Sequence, residues 1–286
     1  MSDISHRTIV ITGASSGIGA AAARKLQESG HRLVLVGRNK DKTHAIAQDL
    51  GAQAYIADFA RLQDVRKLAS DLLTDYPHID VLANNAGAMS DSFDVTVDGF
   101  ESSFQVNHLA PYLLTRMLAG VLTASRASVI WTSSIAIRHA GELQPQRLGA
   151  VDSLARQEFT PLRAYGQSKL AMTIVMAEFQ RRFGAASMAN VAFHPGVVSS
   201  SFGDDLSGLV GWYFRSALGK ALMTPPDKAA SRLVRLVEGT PGRDWTPGTF
   251  VVGKGPSHAS QRQLADLALG KAVWQHTEDL LDSLVE

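Results

Sequence analysis

Short runs of apolar, often β-branched residues recur along the chain and alternate with longer segments of helical periodicity. Apolar runs of this length are typical of strands buried on both faces, and helical segments between them predict β-α-β units around a parallel sheet. The sequence therefore predicts the α/β class, with a doubly wound parallel sheet of about seven strands and helices on both faces. The predicted strands are Arg7–Gly13, His31–Gly37, Ala52–Asp58, Ile79–Asn85, Ala127–Ser134, Met188–Gly196 and Gly248–Gly253.

Glycines mark the ends of the first two predicted helices. The helical periodicity that begins after Gly17 stops at Gly30, and the next helical segment stops at Gly51. Glycine suits such positions because it takes a left-handed conformation without a Cβ penalty. The chain shows no repeat, low-complexity tract or linker that would mark a domain boundary. We therefore expect a single domain over residues 1–286.

Composition and charge exclude several function classes. The 286 residues carry a formal net charge of +1 and no long Lys/Arg run, so we expect no nucleic-acid partner. The chain has no cysteine and no histidine pair with metal-site spacing, so we expect no metal. No secretory signal pattern and no stretch of about 18 apolar residues is found, which favours a cytoplasmic protein without an integral membrane segment.

The first predicted strand runs into the glycine-rich stretch TGASSGIG, Thr12–Gly19. At this turn of a doubly wound sheet, phosphate oxygens can meet free backbone N–H groups at the positive end of a helix. Gly13, Gly17 and Gly19 give the spacing GxxxGxG, which matches neither GxGxxG nor GxxxxGK[ST]. The missing Cβ atoms still suit a bound pyrophosphate, although an ordinary strand-to-helix turn is the alternative from this stretch alone.

Two further motifs accompany the glycine turn. NNAG, Asn84–Gly87, ends the fourth predicted strand, and YGQSK, Tyr165–Lys169, opens a long helical segment. Together with TGxxxGIG, they resemble the short-chain dehydrogenase/reductase family in its non-extended branch. The resemblance covers almost the whole chain and implies a Rossmann-type fold with nicotinamide-dependent carbonyl/alcohol chemistry. Stretches similar to the retinol-dehydrogenase and protochlorophyllide-reductase-like subgroup are Asp98–Thr115, Pro161–Ala171, His194–Val198 and Ala272–Leu281.

Tyr165 and Lys169 form the predicted centre of the chemistry. Four residues apart on a helix, their side chains share one face with Cβ atoms about 6 Å apart. A free phenol has a pKa of about 10, and a nearby ammonium favours the phenolate, so we expect Lys169 to lower the pKa of Tyr165. We predict that Tyr165 is the general acid/base. The resemblance implies that Lys169 also holds the nicotinamide ribose hydroxyls.

Two more residues complete the predicted catalytic set. WTSS ends the fifth strand, where a hydroxyl can hydrogen-bond a substrate carbonyl, and the resemblance assigns this role to Ser134. Ser133 is the alternative, because strand-end registers predicted from sequence err by a residue. Asn107 falls mid-helix, where Asn is a poor helix former. The resemblance implies that Asn107 supports a water relay from Lys169, and a local kink is a compatible role. His108 is expected to be a packing residue.

The end of the second predicted strand bears on the cofactor. An acidic residue about 20 residues beyond the glycine turn binds the ribose 2′-hydroxyl of NAD, but Gly37 and Arg38 stand there. Arg38 can pair with a 2′-phosphate and stack on adenine, which favours NADP(H). A surface ion pair with Asp41 is the alternative. The resemblance implies that Asp58 meets the adenine amino group, and capping of the next helix is an equally simple role.

The remaining cofactor-binding residues also follow from the resemblance. The loop Asn84–Gly87 is expected beneath the adenosine ribose, and Pro195, Gly196 and Val197 beside the nicotinamide. The complete predicted set is Gly13, Ser15, Ser16, Gly17, Ile18, Gly19, Arg38, Asp58, Asn84, Ala86, Gly87, Tyr165, Lys169, Pro195, Gly196 and Val197.

Two segments depart from the shortest family members and bear on the substrate. Thirty residues separate Ser134 from Tyr165, and this insertion is expected to border the substrate pocket. The segment around 200–225 offers an apolar, aromatic face and predicts a lid over a bulky, lipophilic carbonyl or alcohol substrate. Packing on the core, docking of a partner subunit and membrane contact are alternatives for that face.

The predicted catalytic set favours an NADP(H)-dependent oxidoreductase acting on a small-molecule substrate. A non-catalytic NADP(H)-binding regulator or scaffold is the alternative, although such a protein has no need for a tuned phenol. Self-association into a homo-oligomer through the helices that bear Asn107 and Tyr165 is common in the family that the sequence resembles.

Overall fold

The computed structural model describes residues 6–196, 224–253, 255–257 and 261–284. Within them, one eight-stranded sheet has the order β3-β2-β1-β4-β5-β6-β7-β8, and all neighbouring strands are parallel except β7 and β8. The strands are β1 Thr8–Thr12, β2 Arg32–Gly37, β3 Gln53–Ile56, β4 Val81–Asn84, β5 Ser128–Thr132, β6 Ala189–His194, β7 Phe250–Val252 and β8 Gly255–Pro256. The strand order reverses between β1 and β4, and ligands of doubly wound sheets bind at such a point.

The predicted α/β class is confirmed, and each of the seven predicted strands contains an observed one. The structure adds β8, a strand of two residues that has no apolar run to predict it. Helices cover both faces of the sheet, with α3, α5, α8 and α11 on one side and α1, α2 and α9 on the other. The helices are α1 Gly17–Glu28, α2 Lys40–Leu50, α3 Leu62–Asp75, α4 Ser102–Phe104, α5 Ala110–Met117, α6 Ala119–Ala124, α7 Ser153–Gln157, α8 Pro161–Phe183, α9 Pro226–Glu238, α10 Gln261–Ala265 and α11 Leu267–Asp282.

The two predicted helix ends are confirmed. Gly30 follows α1 with a φ of +81°, and its N–H donates to the Gln27 carbonyl at 2.8 Å. Gly51 ends α2 with a φ of +61°. Both backbone conformations are left-handed, which is where glycine has its advantage over other residues.

Between α4 and α5 the helix widens into a π-helical segment, Gln105–Leu109, which contains Asn107. Pro111 lies four residues after Asn107 and has no N–H to donate to the Asn107 carbonyl, so a regular α-helical hydrogen bond cannot form there. The poor helix propensity of Asn107 thus coincides with a real departure from α-helical geometry. Segments of this kind frequently occur at functional sites.

Helix α8 lies inside the protein, because every residue from Ser168 to Phe179 is buried. Part of this cover comes from α11, whose Trp274 ring lies 4.8 Å from the Phe179 ring and 5.0 Å from the Tyr112 ring, measured between centroids. Helix α11 therefore covers both α8 and α5. None of the helices in the described part of the chain is long and apolar enough to cross a membrane.

His108 packs in the same region, as expected from the sequence. Its ring stacks on Phe104 at 4.8 Å between centroids, and its Nε2 lies 2.8 Å from the Thr277 hydroxyl of α11. Complete burial lowers the pKa of His108 to about 3. The imidazole is therefore neutral at physiological pH and serves as part of the core.

Candidate active site

The glycine turn connects β1 to α1 at the carboxyl edge of the sheet. Gly13 and Gly17 have φ values of +67° and +56°, in the region that side chains rarely adopt. Gly19 meets a different requirement, since a Cβ there would lie 2.3 Å from the Gly13 carbonyl oxygen. The three glycines therefore let the chain turn sharply and let α1 approach the turn closely.

The same turn leaves backbone donors at the start of α1. The first backbone hydrogen bond of this helix runs from the Ala20 N–H to the Ser16 carbonyl at 3.2 Å. Within the described residues, the preceding N–H groups of Gly17, Ile18 and Gly19 have no helical acceptor. Helix N-termini of this kind bind phosphate groups.

A cleft runs from the glycine turn to the loop after β4. Its lining includes these members of the predicted cofactor-binding set: Gly13, Ser15, Ser16, Gly17, Ile18, Arg38, Asp58, Ala86 and Gly87. Asn85, from the predicted loop Asn84–Gly87, also lines the cleft. The lining residues that were not predicted are Val36, Gly37, Ala57, Phe59, Ala88, Met89 and Val106. Most of these residues are neighbours in sequence of a predicted residue. That adjacency is the sequence signal that could have identified them as lining residues.

Thr12 and Asn85 connect the two sides of the cleft. The Thr12 hydroxyl accepts hydrogen bonds from the N–H groups of Asn85 and Ala86 at 2.9 and 3.0 Å. The Asn85 amide donates to the Thr12 carbonyl at 2.9 Å. The threonine of TGASSGIG and the second asparagine of NNAG therefore hold the glycine turn against the loop after β4.

Asn84, predicted as a cofactor-binding residue, does not reach the cleft with its side chain. That side chain is buried and donates to the Thr115 hydroxyl of α5 at 2.8 Å. Successive residues of a strand point to opposite faces, and Asn84, the last residue of β4, points into the helical layer. Asn85, Ala86 and Gly87 line the cleft instead.

Arg38 and Asp58 lie where the cleft passes the ends of β2 and β3. Arg38 is exposed, and among the described residues no acidic side chain, Asp41 included, pairs with it. Asp58 accepts a hydrogen bond from the Ala60 N–H at 3.0 Å, while the first N–H of α3, that of Leu62, is bonded to Asp98. Asp58 thus closes the turn before α3 and does not cap the helix.

Tyr165 lies in the second turn of α8 and is hydrogen-bonded to the Ser134 side chain. The Ser134 Oγ also accepts from the Ala136 N–H at 3.1 Å. Ser133 points away and is hydrogen-bonded to the Thr173 hydroxyl at 2.8 Å. The geometry therefore favours Ser134 over Ser133 as the partner of the phenol.

Lys169 lies one turn along α8 from Tyr165. Its Nζ donates to the Thr132 carbonyl at 2.8 Å and lies 5.8 Å from the Tyr165 ring centroid. A Cβ on Gly87, which lines the cleft, would lie 3.0 Å from this nitrogen. A side chain at residue 87 would therefore crowd the ammonium group where it adjoins the cleft.

The pKa values of this pair differ from the sequence-based expectation. Burial raises the pKa of Tyr165 to about 12, and only the hydrogen bond from Ser134 opposes this shift. Burial lowers the pKa of Lys169 to about 7. The low polarity of the site penalises both the phenolate and the ammonium, and this effect exceeds the attraction expected between them.

Asn107 connects three parts of the site. Its Oδ1 accepts from the Ala88 N–H at 3.0 Å, and its Nδ2 donates to the Ala88 carbonyl at 2.7 Å and to the Ser168 hydroxyl at 3.1 Å. Ser168 in turn donates to the Tyr165 carbonyl at 2.8 Å. Asn107 thus ties the π-helical segment to the cleft loop and to the helix that bears Tyr165.

Comparison with known proteins agrees with this geometry. The family model described as short chain dehydrogenase matches residues 7–146. A Streptomyces protein provisionally named daunorubicin C-13 ketoreductase DnrU is 37% identical over 275 residues, covering 94% of this chain and 90% of its own. The chain belongs to the short-chain dehydrogenase family.

Two further comparisons bear on this short-chain dehydrogenase. Human retinol dehydrogenase 13 is 33% identical over 207 residues, covering 70% of this chain and 61% of its own length. A crystal structure of an uncharacterized protein from Mycobacterium paratuberculosis has a TM-score of 0.72 and 30% identity, covering 96% of this chain and 92% of its own. The chain thus fits the retinol-dehydrogenase-like subgroup that the motifs indicated.

The last predicted cofactor residues follow β6. Pro195 is buried, and Gly196 has a φ of +103°. A Cβ on Gly196 would lie only 2.5 Å from the Thr224 Oγ1. Val197 and most of the predicted lid, residues 200–223, lie outside the described residues. Pro195 and Gly196 share the carboxyl edge of the sheet with Ser134.

The insertion between Ser134 and Tyr165 forms a wall of a second cavity. Its lining includes Phe104, Gln167, Ser168 and, from the insertion, Glu142, Gln144 and residues 147–150. In the described part of the chain, Tyr165 and Ser134 are not among its lining residues. Phe159 of the insertion packs edge-on against Phe93 at 5.5 Å between centroids. This part of the insertion therefore packs against the start of α8.

The cleft suits a nicotinamide dinucleotide, the cofactor class of the short-chain dehydrogenase family. A pyrophosphate fits the N–H groups of Gly17 and Ile18 on a turn that has no Cβ at residues 13 and 17. Arg38 adds a cation at one end and Lys169 adjoins the other. Among the described residues, no group of three histidine or acidic side chains is arranged to hold a metal ion.

Proposed function

We propose that this short-chain dehydrogenase is an NADP(H)-dependent oxidoreductase that interconverts a carbonyl and an alcohol by hydride transfer. The observation that carries the proposal is the hydrogen bond between Tyr165 and Ser134 beside the buried Lys169 ammonium. All three groups lie at the carboxyl edge of the sheet, and the Lys169 ammonium adjoins the cleft. A proton donor, a hydrogen-bonding hydroxyl and a cation together are suited to acid–base chemistry on a substrate oxygen.

In the reducing direction, the Ser134 hydroxyl hydrogen-bonds the substrate carbonyl oxygen and holds it next to the Tyr165 phenol. A bound nicotinamide dinucleotide supplies the hydride to the carbonyl carbon. Tyr165 gives its proton to the oxygen, so that the carbonyl becomes an alcohol and Tyr165 becomes a phenolate. The Lys169 ammonium stabilises this phenolate. Asn107 holds the cleft loop in place against α8. In the oxidising direction the same groups act in reverse.

The pKa values fit this cycle. The neutral phenol is the stable form of Tyr165 in this buried site, so the residue holds a proton that it can donate. The Lys169 pKa of about 7 lets its charge respond to a new neighbouring phenolate. The phenolate and the ammonium then stabilise each other where either charge alone is penalised.

The preference for NADP(H) rests on Arg38. Its guanidinium is exposed at the cleft and has no acidic partner among the described residues, so it is available to a 2′-phosphate. No carboxylate stands at the end of β2 to bind a ribose 2′-hydroxyl instead.

Replacement of Arg38 by Gln is expected to raise the KM for NADPH by roughly 10- to 100-fold, the effect of losing a charge-assisted hydrogen bond. The KM for NADH is expected to stay within about 3-fold, because NADH carries no 2′-phosphate. Steady-state kinetics with both cofactors measure this change. Arg24→Gln is the matched control, since Arg24 pairs with Asp49 on the outside of α1. Equal effects on NADPH and NADH would contradict the assignment.

We infer a bulky, lipophilic carbonyl or alcohol as the substrate. The names of the relatives are consistent with this class, since one is a daunorubicin ketoreductase and another a retinol dehydrogenase. The apolar segment predicted to be the lid supports the same inference from the sequence.

The test is a panel of retinoid aldehydes, polycyclic ketones and small aliphatic ketones, with the matching alcohols, followed at the nicotinamide absorbance with each cofactor. We expect turnover with NADPH and a kcat/KM that increases with substrate size. Tight binding of NADPH without turnover of any compound would instead support the non-catalytic regulator. Preference for the small ketones would contradict the lipophilic substrate class and leave the oxidoreductase in place.

A further inference from the structure

His194, the last residue of β6, contacts the turn that carries the catalytic serine. Its Nδ1 accepts a hydrogen bond from the Ile135 N–H at 3.2 Å. Ile135 directly follows Ser134, so this bond fixes the peptide group on the carboxyl side of the serine. The Ile135 N–H lies where the ladder between β5 and β6 has ended, since the Ser133 N–H makes the last backbone bond to Phe193 at 2.8 Å. The imidazole thus extends the pairing of β5 with β6 by one more hydrogen bond.

The orientation of the Ser134 Oγ depends on that peptide group. Ser134 is extended, with φ −151° and ψ 151°, and a 3₁₀ turn, Ile135–His139, begins directly after it. Rotation of the Ser134–Ile135 peptide changes ψ of Ser134 and shifts the Ala136 N–H, which donates to the Ser134 Oγ at 3.1 Å. Holding the Ile135 N–H therefore holds the hydroxyl that meets Tyr165.

The surroundings of His194 keep its Nδ1 free to accept. Burial, followed by the charges of Arg232 on α9 and Arg138 in the 3₁₀ turn, lowers the pKa of His194 to about 4. The ring is therefore neutral at physiological pH, and acceptance at Nδ1 places its proton on Nε2. Arg232 also fixes the backbone, because its Nη1 donates to the His194 carbonyl at 3.4 Å.

We propose that His194 is a positioning residue for the reaction, acting through the Ile135 N–H to hold the Ser134 hydroxyl against the substrate oxygen. This role rests on the proposed oxidoreductase function. This role is distinct from pyrophosphate binding, because His194 holds the serine turn and not the glycine turn. Loss of the acceptor leaves a partly buried N–H without a partner and frees the peptide to rotate.

The test compares His194→Leu with His194→Asn. The two side chains are similar in size, but only Asn offers an oxygen at the position of Nδ1. We expect the Leu variant to lower kcat by roughly 10- to 50-fold while the dissociation constant for NADPH stays within about 2-fold, and the Asn variant to recover kcat to within about 3-fold of the unaltered protein. If the Leu variant does not fold, His194→Gln replaces it, since its oxygen lies one bond further from the backbone.

A double-mutant cycle with Ser134→Ala separates positioning from a general structural role. If His194 acts through Ser134, His194→Leu lowers kcat no further once Ser134 is Ala. An equal loss in both backgrounds, or no recovery with Asn, would overturn the proposal while turnover by the unaltered protein keeps the oxidoreductase function. Absence of turnover in the unaltered protein would overturn both.

Discussion

Replacement of Tyr165 by Phe is expected to lower kcat by roughly 10²- to 10⁴-fold, the usual contribution of a general acid/base. The variant keeps the aromatic ring and loses the hydroxyl, and with it the proton that is transferred to the substrate oxygen. The hydrogen bond to Ser134 is lost with it. NADPH binding, measured by fluorescence titration without substrate, is expected to change little, because the glycine turn and Arg38 are unaltered.

The matched control for this variant is Tyr55→Phe. Tyr55 donates its hydroxyl to Asp75 at 2.5 Å, near the edge of the sheet formed by β3 and outside the cleft lining. Removal of that hydroxyl is expected to leave kcat within about 2-fold. Full turnover by Tyr165→Phe, with the control also active, would remove the phenol from the mechanism and favour a different proton donor.

Replacement of Lys169 by Met is expected to lower kcat by a similar factor of roughly 10²–10⁴, because the phenolate of Tyr165 then forms without a cation beside it. The same change is expected to stabilise the folded protein. Burial lowers the Lys169 pKa from 10.5 to about 7, which means that the buried ammonium destabilises the folded state. Methionine carries no charge and avoids this desolvation cost. We expect an increase in the free energy of unfolding of roughly 2–4 kcal/mol at pH 6.

The difference in stability between the Met variant and the unaltered protein depends on pH. Between pH 7 and 10.5 the unfolded chain binds more protons at residue 169 than the folded protein, so the stability of the unaltered protein rises with pH in that window. The advantage of the Met variant is therefore largest below pH 7 and declines as the pH approaches 10.5. Denaturant unfolding of both proteins at several pH values measures the difference.

Lys67→Met is the control for Lys169→Met. Lys67 is exposed and pairs with Asp71, so its removal is expected to change stability by less than about 0.5 kcal/mol. Lower stability of Lys169→Met at pH 6 would show that the bond from Nζ to the Thr132 carbonyl outweighs the desolvation of the ammonium.

The fold could be predicted largely from sequence, because buried parallel strands are continuous apolar runs whose pattern does not depend on distant contacts. The two-residue strand β8 could not, since it depends on pairing with β7 and not on its own composition. The docking of α11 on α8 was also beyond local patterns. It depends on Trp274 meeting Phe179, a contact between residues far apart in the chain.

The site was predictable at the level of motifs and less so at the level of side-chain direction. The glycines and the pair Tyr165 and Lys169 occupy helix and turn positions with fixed spacing, and the structure places them along one edge of the sheet. The side chains of Asn84 and Ser133 stand at strand ends, where successive side chains point to opposite faces of the sheet. An error of one residue in the predicted strand end therefore places a side chain on the wrong face. The higher pKa of Tyr165 depends on burial, which no local motif reports.

The position of α11 has a consequence for assembly. Helix α8 is buried from Ser168 to Phe179, and the indole of Trp274 packs against the Phe179 ring on its flank. Two copies that associated along this helix would first have to displace α11, because α11 covers it. That displacement would expose several large aromatic rings to water. Any association between copies of this dehydrogenase is therefore expected to use other surfaces, where it would leave the packing of α8 undisturbed.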